Sequence, residues 1–96
     1  MPINYTGTAF ETLVDIVNYI ESTNTLGAGV RWLDKFESFL DNSLGTVALV
    51  KICNNKTFAV LELRCLNFND WVVAFSITDD NTVLIEAILH SSRIVD

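Results

Sequence analysis

The spacing of apolar residues changes once along the chain, from a helical period to a strand period. In the first half Phe10, Leu13, Val14, Val17 and Ile20 recur every three or four residues, the spacing that lines one face of an α-helix. Ahead of them Thr8-Ala9-Phe10-Glu11 has the form of a capping box, in which a hydroxyl and a carboxylate satisfy the orphan amides of a helix start. The polar run Ser22-Thr23-Asn24-Thr25 ends this helix and opens a second, which keeps Val30, Leu33, Phe36, Leu40 and Leu44 on one face until Gly45 stops it. Two helices joined by so short a loop form an antiparallel hairpin. Before them, Ile3-Asn4-Tyr5-Thr6 has room for a short strand.

After Gly45 the period becomes two. Segments 47–53, 57–66, 71–77 and 83–89 are rich in β-branched and aromatic residues. The separators Asn54-Asn55, Asn67-Phe68-Asn69-Asp70 and Asp79-Asp80-Asn81 are turn formers, which predicts hairpin-connected antiparallel strands. Alternation then places Leu61, Leu63 and Cys65 with Trp71, Val73, Phe75, Ile77, Val83, Ile85, Ala87 and Leu89 on the side that receives the helices. The other side collects Glu62, Arg64, Val72, Ala74, Ser76, Leu84, Glu86, Ile88 and His90. That set is too apolar for an ordinary solvated surface, so something is expected to cover it or dock on it. The pattern as a whole predicts one α+β domain over residues 1–96: a short N-terminal strand and a helical hairpin packed on an antiparallel sheet of four or more strands.

Composition narrows what such a domain does. By area scaling, a chain of 96 residues buries roughly two-thirds of its surface on folding, enough for a real core. Apolar residues never run longer than Trp71-Val72-Val73-Ala74-Phe75, far short of the ~20 needed to cross a bilayer. The N-terminal stretch carries Glu11 and has no cation before Arg31, unlike a secretion signal, so the expected location is the cytoplasm. Six Lys and Arg against twelve Asp and Glu leave a net charge of −6. Backbone binding to nucleic acid scales with the phosphates neutralised, so no extended basic groove and no strong direct nucleic-acid binding is expected. Residues 1–45 hold two cations against six acids and residues 46–96 four against six, so any anion-facing site belongs to the second half. Cys53 and Cys65 suit one bridge in an oxidising compartment and two small buried thiols in a reducing one; the second is the expectation here. One histidine, two cysteines and scattered acids lack metal-ligand spacing, and no cofactor is expected.

A few side chains carry candidate chemistry. Histidine is the one side-chain type that ordinarily titrates near neutrality, so proton transfer would pass through His90 or a shifted carboxylate, although a lone histidine at a strand end is more often structural. Arg64 lies between Glu62 and Glu86 on the inferred sheet face, an arrangement suited to an ion-pair cluster or to a partner. Arg93 lies beyond the last strand, as a partner or anion contact or as a solvated residue. Trp32 and Trp71 each sit in a pattern that buries them.

The order of elements, with several local patterns, resembles the RelE/ParE superfamily of small bacterial toxins over nearly the whole chain. Ala9, Leu13, Ile16, Tyr19 and Ile20 stand where ParE-like proteins carry their first helical stripe, and Trp32-Leu33, Phe36 and Phe39-Leu40 follow as the second. Leu63-Arg64, Trp71-Val72-Val73-Ala74-Phe75, Asp79-Asp80, 83–85 and Leu89-His90-Ser91-Ser92-Arg93 are similar to the family's closing pattern. The resemblance implies the toxin of a type II toxin–antitoxin (plasmid stabilisation) pair, neutralised by a cognate antitoxin, and closest to the ParE branch that poisons DNA gyrase by binding. The alternative branch cleaves mRNA on the ribosome. Here it would use Arg64, His90 and Arg93, but the acidic charge, the lack of an aromatic in residues 91–96 and Ser43-Leu44 in place of the usual proline before Gly45 depart from it. A third alternative keeps the fold as a binding module that poisons nothing. The face carrying Glu62, Arg64, Leu84, Glu86 and Ile88 is the expected partner surface, and alternation alone does not choose between a homodimer and an antitoxin strand at the sheet edges.

Overall fold

The computed structural model describes residues 2–44, 53 and 56–91. In chain order it contains β1 (Ile3–Tyr5), α1 (Gly7–Thr23), α2 (Ala28–Leu44), α3 (Lys56–Val60), β2 (Arg64–Phe68), β3 (Trp71–Ile77) and β4 (Val83–His90). The strands form one mixed sheet in the order β1-β4-β3-β2. The hairpin-linked strands β2, β3 and β4 are antiparallel, as their turn residues predict, whereas β1 runs parallel to β4. The helical hairpin covers one side of this sheet, an α+β architecture. Strand 47–53 of the sequence pattern lies outside the described residues apart from Cys53.

The first helix begins two residues earlier than the capping-box pattern indicates. Thr6, in extended conformation, is the cap: its Oγ1 accepts from the Ala9 amide at 3.1 Å. The reason lies in the sheet, because the Thr6 amide donates to Ile85 O at 2.9 Å and so pins the chain where it leaves β1. Thr8 and Glu11 then fall inside the helix. The inter-helix loop is organised by Glu21, whose carboxylate accepts from the Gly27 and Gly29 amides at 2.8 and 3.0 Å. These are orphan donors at the start of α2, and they hold the carboxyl below its usual range, with Gly27 the larger influence. Gly29 is required by proximity, since a Cβ there would stand 2.6 Å from Val17 O.

Segment 57–66 is not one strand. Residues 56–60 form a short helix, and a turn through Glu62, at φ 58°, leads into β2 at Arg64. The Leu63 amide donates to Phe58 O at 3.0 Å and the Cys53 amide to Leu63 O at 2.9 Å. The compact turn places Phe58 with Cys53, Leu63, Ala74, Cys65 and Ala87, a cluster separate from the main core. Cys53 and Cys65 are joined as a disulfide, which corrects the expectation of two free thiols.

Register decides the faces, and it overturns part of the alternation. Ala74 pairs with Ala87 but Phe75 pairs with Ile85, so Glu86 is the extra residue of a β-bulge. Beyond the bulge every β4 side chain changes sides: Ile88 joins Val83 and Ile85 in the helix-covered core, while Ala87 lies in the opposite cluster. In β2, cross-strand pairing of Arg64 with Phe75 and Leu66 with Val73 puts Arg64, Leu66 and Phe68 on the helix side and Cys65 on the outer side. The outer face anticipated as semi-apolar is therefore partly covered by the chain's own α3 and Cys53.

Candidate functional site

The residues expected to share a partner surface are dispersed. Leu84 is half-buried on the outer side, paired with Ser76 beside Asn4 of β1. Glu86 occupies the bulge, and the Thr6 hydroxyl donates to its carbonyl at 3.5 Å. Glu62 is exposed in the turn before β2. Arg64 begins β2 on the helix side, and Ile88, at 2% exposure, is core. Only the Leu84–Glu86 part of the expected face survives as a surface.

The candidates for chemistry are also apart. Arg64 pairs with Phe75 and His90 with Trp71, at opposite ends of β3. Four residues along β3 and two strand spacings across it separate their backbones by roughly 16 Å. Arg93 lies outside the described residues. Among the described residues, no group of three or more His, Cys, Asp or Glu gathers as a metal site, and no helix is long and apolar enough to cross a membrane.

Among the concave regions that flank the sheet, two lie against the helices. One is a groove of about 640 Å³ between α1 and the ends of β3 and β4, lined by Thr12, Asp15, Ile16, Tyr19, Trp71, Ile88, Leu89 and His90. His90 reaches it because of the bulge, and its ring stands perpendicular to that of Trp71, with centroids 5.2 Å apart and planes at 88°. Trp71 is held from behind by Trp32, which stacks on Phe36. Ser91 N donates to Asp70 O at 2.8 Å, closing the strand ends. The sequence pattern placed His90 on the opposite face and gave Asp15 and Tyr19 no part in a site, since nothing local announces a bulge about seventy residues beyond them.

The second region runs along the outer edge of β1, which no described strand covers, a crevice of about 110 Å³ lined by Ile3, Tyr5, Glu37, Leu40 and Asp41. Pro2 O and Thr6 N point at β4, where they bond Val83 N and Ile85 O. The strand period therefore turns the amides and carbonyls of Ile3 and Tyr5 outward. Burial pushes the Tyr5 phenol above its ordinary value, and the carboxylates of Glu37 and Asp41 push it the same way, so the crevice is electronegative.

The described residues form a helical hairpin over a small mixed sheet, with Arg64 and His90 apart on it. The family model described as the ParE toxin of the type II toxin–antitoxin system, parDE, matches residues 3–95. The chain belongs to this family, whose members act with a cognate antitoxin. No curated protein matches it significantly.

Proposed function

We propose that this toxin acts by binding, with DNA gyrase as its target, and that it does so in the cytoplasm, where the Cys53–Cys65 bridge is subject to reduction. The observation that carries the reading is the family match over 3–95 combined with the separation of Arg64 from His90. A ribonuclease needs cations and a proton-transfer group around one phosphate, and among the described residues the strand register holds Arg64 and His90 apart.

The cognate antitoxin docks along β1. An extended segment added there meets the outward amides and carbonyls of Ile3 and Tyr5. Its inner side chains face Glu37 and Asp41, and its outer ones face Asn4 and Leu84, which keeps Leu84 from the expected surface in use. A second copy of the chain would set Glu37 and Asp41 against their own counterparts, which disfavours a homodimer through this edge.

Two experiments test this. Controlled expression of the chain alone, with a DNA-damage reporter and a translation-rate readout, should give growth arrest with DNA damage first. Translation collapsing first would return Arg64, His90 and Arg93 to chemical roles, and normal growth with folded protein would make the chain a binding module. Ile3→Pro removes an outward amide that β4 does not use, and Leu84→Asp charges the outer flank. Each should weaken antitoxin binding while circular dichroism is unchanged; undiminished affinity in both would sink the β1 assignment.

A further inference from the structure

We propose that the groove between α1 and the ends of β3 and β4 is a socket for an arginine or lysine side chain presented by a partner protein, an inference that rests on the reading of the chain as a protein-binding toxin. Its floor is apolar, formed by Ile16 and Ile88, which are 6% and 2% exposed. Its walls carry two aromatic rings, Tyr19 and Trp71, and one carboxylate, Asp15. This is the environment a long cationic side chain matches along its length: an aliphatic stem on an apolar floor, and a charged head between aromatic faces and a carboxylate.

The sign of the charge selects the occupant. No lysine or arginine lines the groove among the described residues, and α1, which forms one wall, carries Glu11, Asp15 and Glu21 with no cation. A phosphate backbone would meet Asp15 with no lysine or arginine among the described residues to offset it, so a basic protein segment is favoured over a nucleic acid. The site is also built rather than incidental. The bulge at Glu86 brings His90 to this side, and His90 and Trp32 hold Trp71 from two directions. Tyr19 remains 67% exposed, leaving its ring open to a ligand.

The test is an NMR titration of the isotope-labelled full chain with a blocked alanine–leucine helical peptide bearing one central arginine, and with its twin bearing glutamate. The arginine peptide should shift the Trp71 indole and the Asp15 and Tyr19 amides, and bind about fivefold more tightly than the twin. Asp15→Asn and Tyr19→Ala, both at exposed positions, should each weaken it about threefold with circular dichroism unchanged. Equal binding of the twin, shifts elsewhere, or indifference to Asp15→Asn would overturn the socket. Shifts of the same residues on diluting the chain alone would assign the groove to a second copy, and overturn it too. Absence of growth arrest in cells would instead count against the toxin reading, which this titration does not measure.

Discussion

The two sides of the sheet are closed by different means. On the helix side Phe36, Phe75, Leu40, Ile85, Ile88, Val73 and Val83 are fully buried beneath a two-helix hairpin. On the outer side the buried residues described are small or few: Ala74 at 0%, with Cys53 and Leu63 at 4%. Phe58 lies over them from a five-residue helix, and a disulfide ties Cys53 to Cys65. Large, interdigitated side chains hold the first layer without a covalent link. Among the described residues the second buries little apolar area and is tied by a cross-link, and Leu84 stands half-buried beside β1.

The comparison can be broken at its strongest point first. Phe75→Ala removes a ring at 0% exposure and should cost about 3–5 kcal/mol in urea unfolding, against about 1–2 kcal/mol for Phe58→Ala on the outer side. Equal losses would mean that the two layers are not different in kind. Reduction of the bridge, or Cys53→Ser with Cys65→Ser, opens a link across a sequence separation of 12. It should cost about 3 kcal/mol by loop-closure entropy, read as a lower urea midpoint with reductant present. Hydrogen exchange should quicken around Leu63 and Cys65 before the Val73–Phe75 core. An unchanged midpoint would show that the outer layer holds without its clamp.

Thr6 joins the two sides, since its hydroxyl caps α1 and donates to the carbonyl of the bulge residue. Thr6→Val should cost about 1–2 kcal/mol, with Thr6→Ser recovering most of it. A loss confined to α1 amide protection, with β4 unaffected, would separate the cap from the bulge. The smallest effect is expected at Glu21. Its carboxyl is held below the ordinary 4.5 by the Gly27 and Gly29 amides, so the folded state binds this proton less tightly than the unfolded chain. The stabilisation is therefore present above the ordinary value and is lost as pH falls through the folded one. Glu21→Gln should flatten a Tm-against-pH curve in that acid window, and an unaltered slope would show that the cap contributes nothing titratable.

Where the sequence pattern succeeds and where it fails has a common cause. The helices are legible because Leu13, Ile16, Phe36 and Leu40 repeat at a period that needs no partner to be recognised. Strands 71–77 and 83–90 are legible because each is bounded by turn residues, including Asn69 and Asn81, both at positive φ. Residues 56–60 misled because Thr, Phe and Val suit a strand locally. The burial of Phe58 against Ala74 and Ala87 outweighs that preference and is visible only in three dimensions. The expected partner face broke in two places: the bulge at Glu86 reversed Ile88 and His90, since a period of two carries any inserted residue to the end of the strand, and β2, starting at Arg64, set that residue opposite Phe75 on the helix side.

The sequence by itself determined the short first strand, the helical hairpin, the antiparallel course of strands 71–77 and 83–90 and, through its resemblance, the toxin family. The elements follow from local periodicity and turn chemistry, each readable within a window of a few residues, and the family from the resemblance alone. The tertiary structure alone decided the parallel docking of β1, the bridge between Cys53 and Cys65, and which side of the sheet each β4 residue faces. These depend on contacts between segments far apart in the chain, where register and packing, rather than the propensity of any one residue, set the lowest free energy.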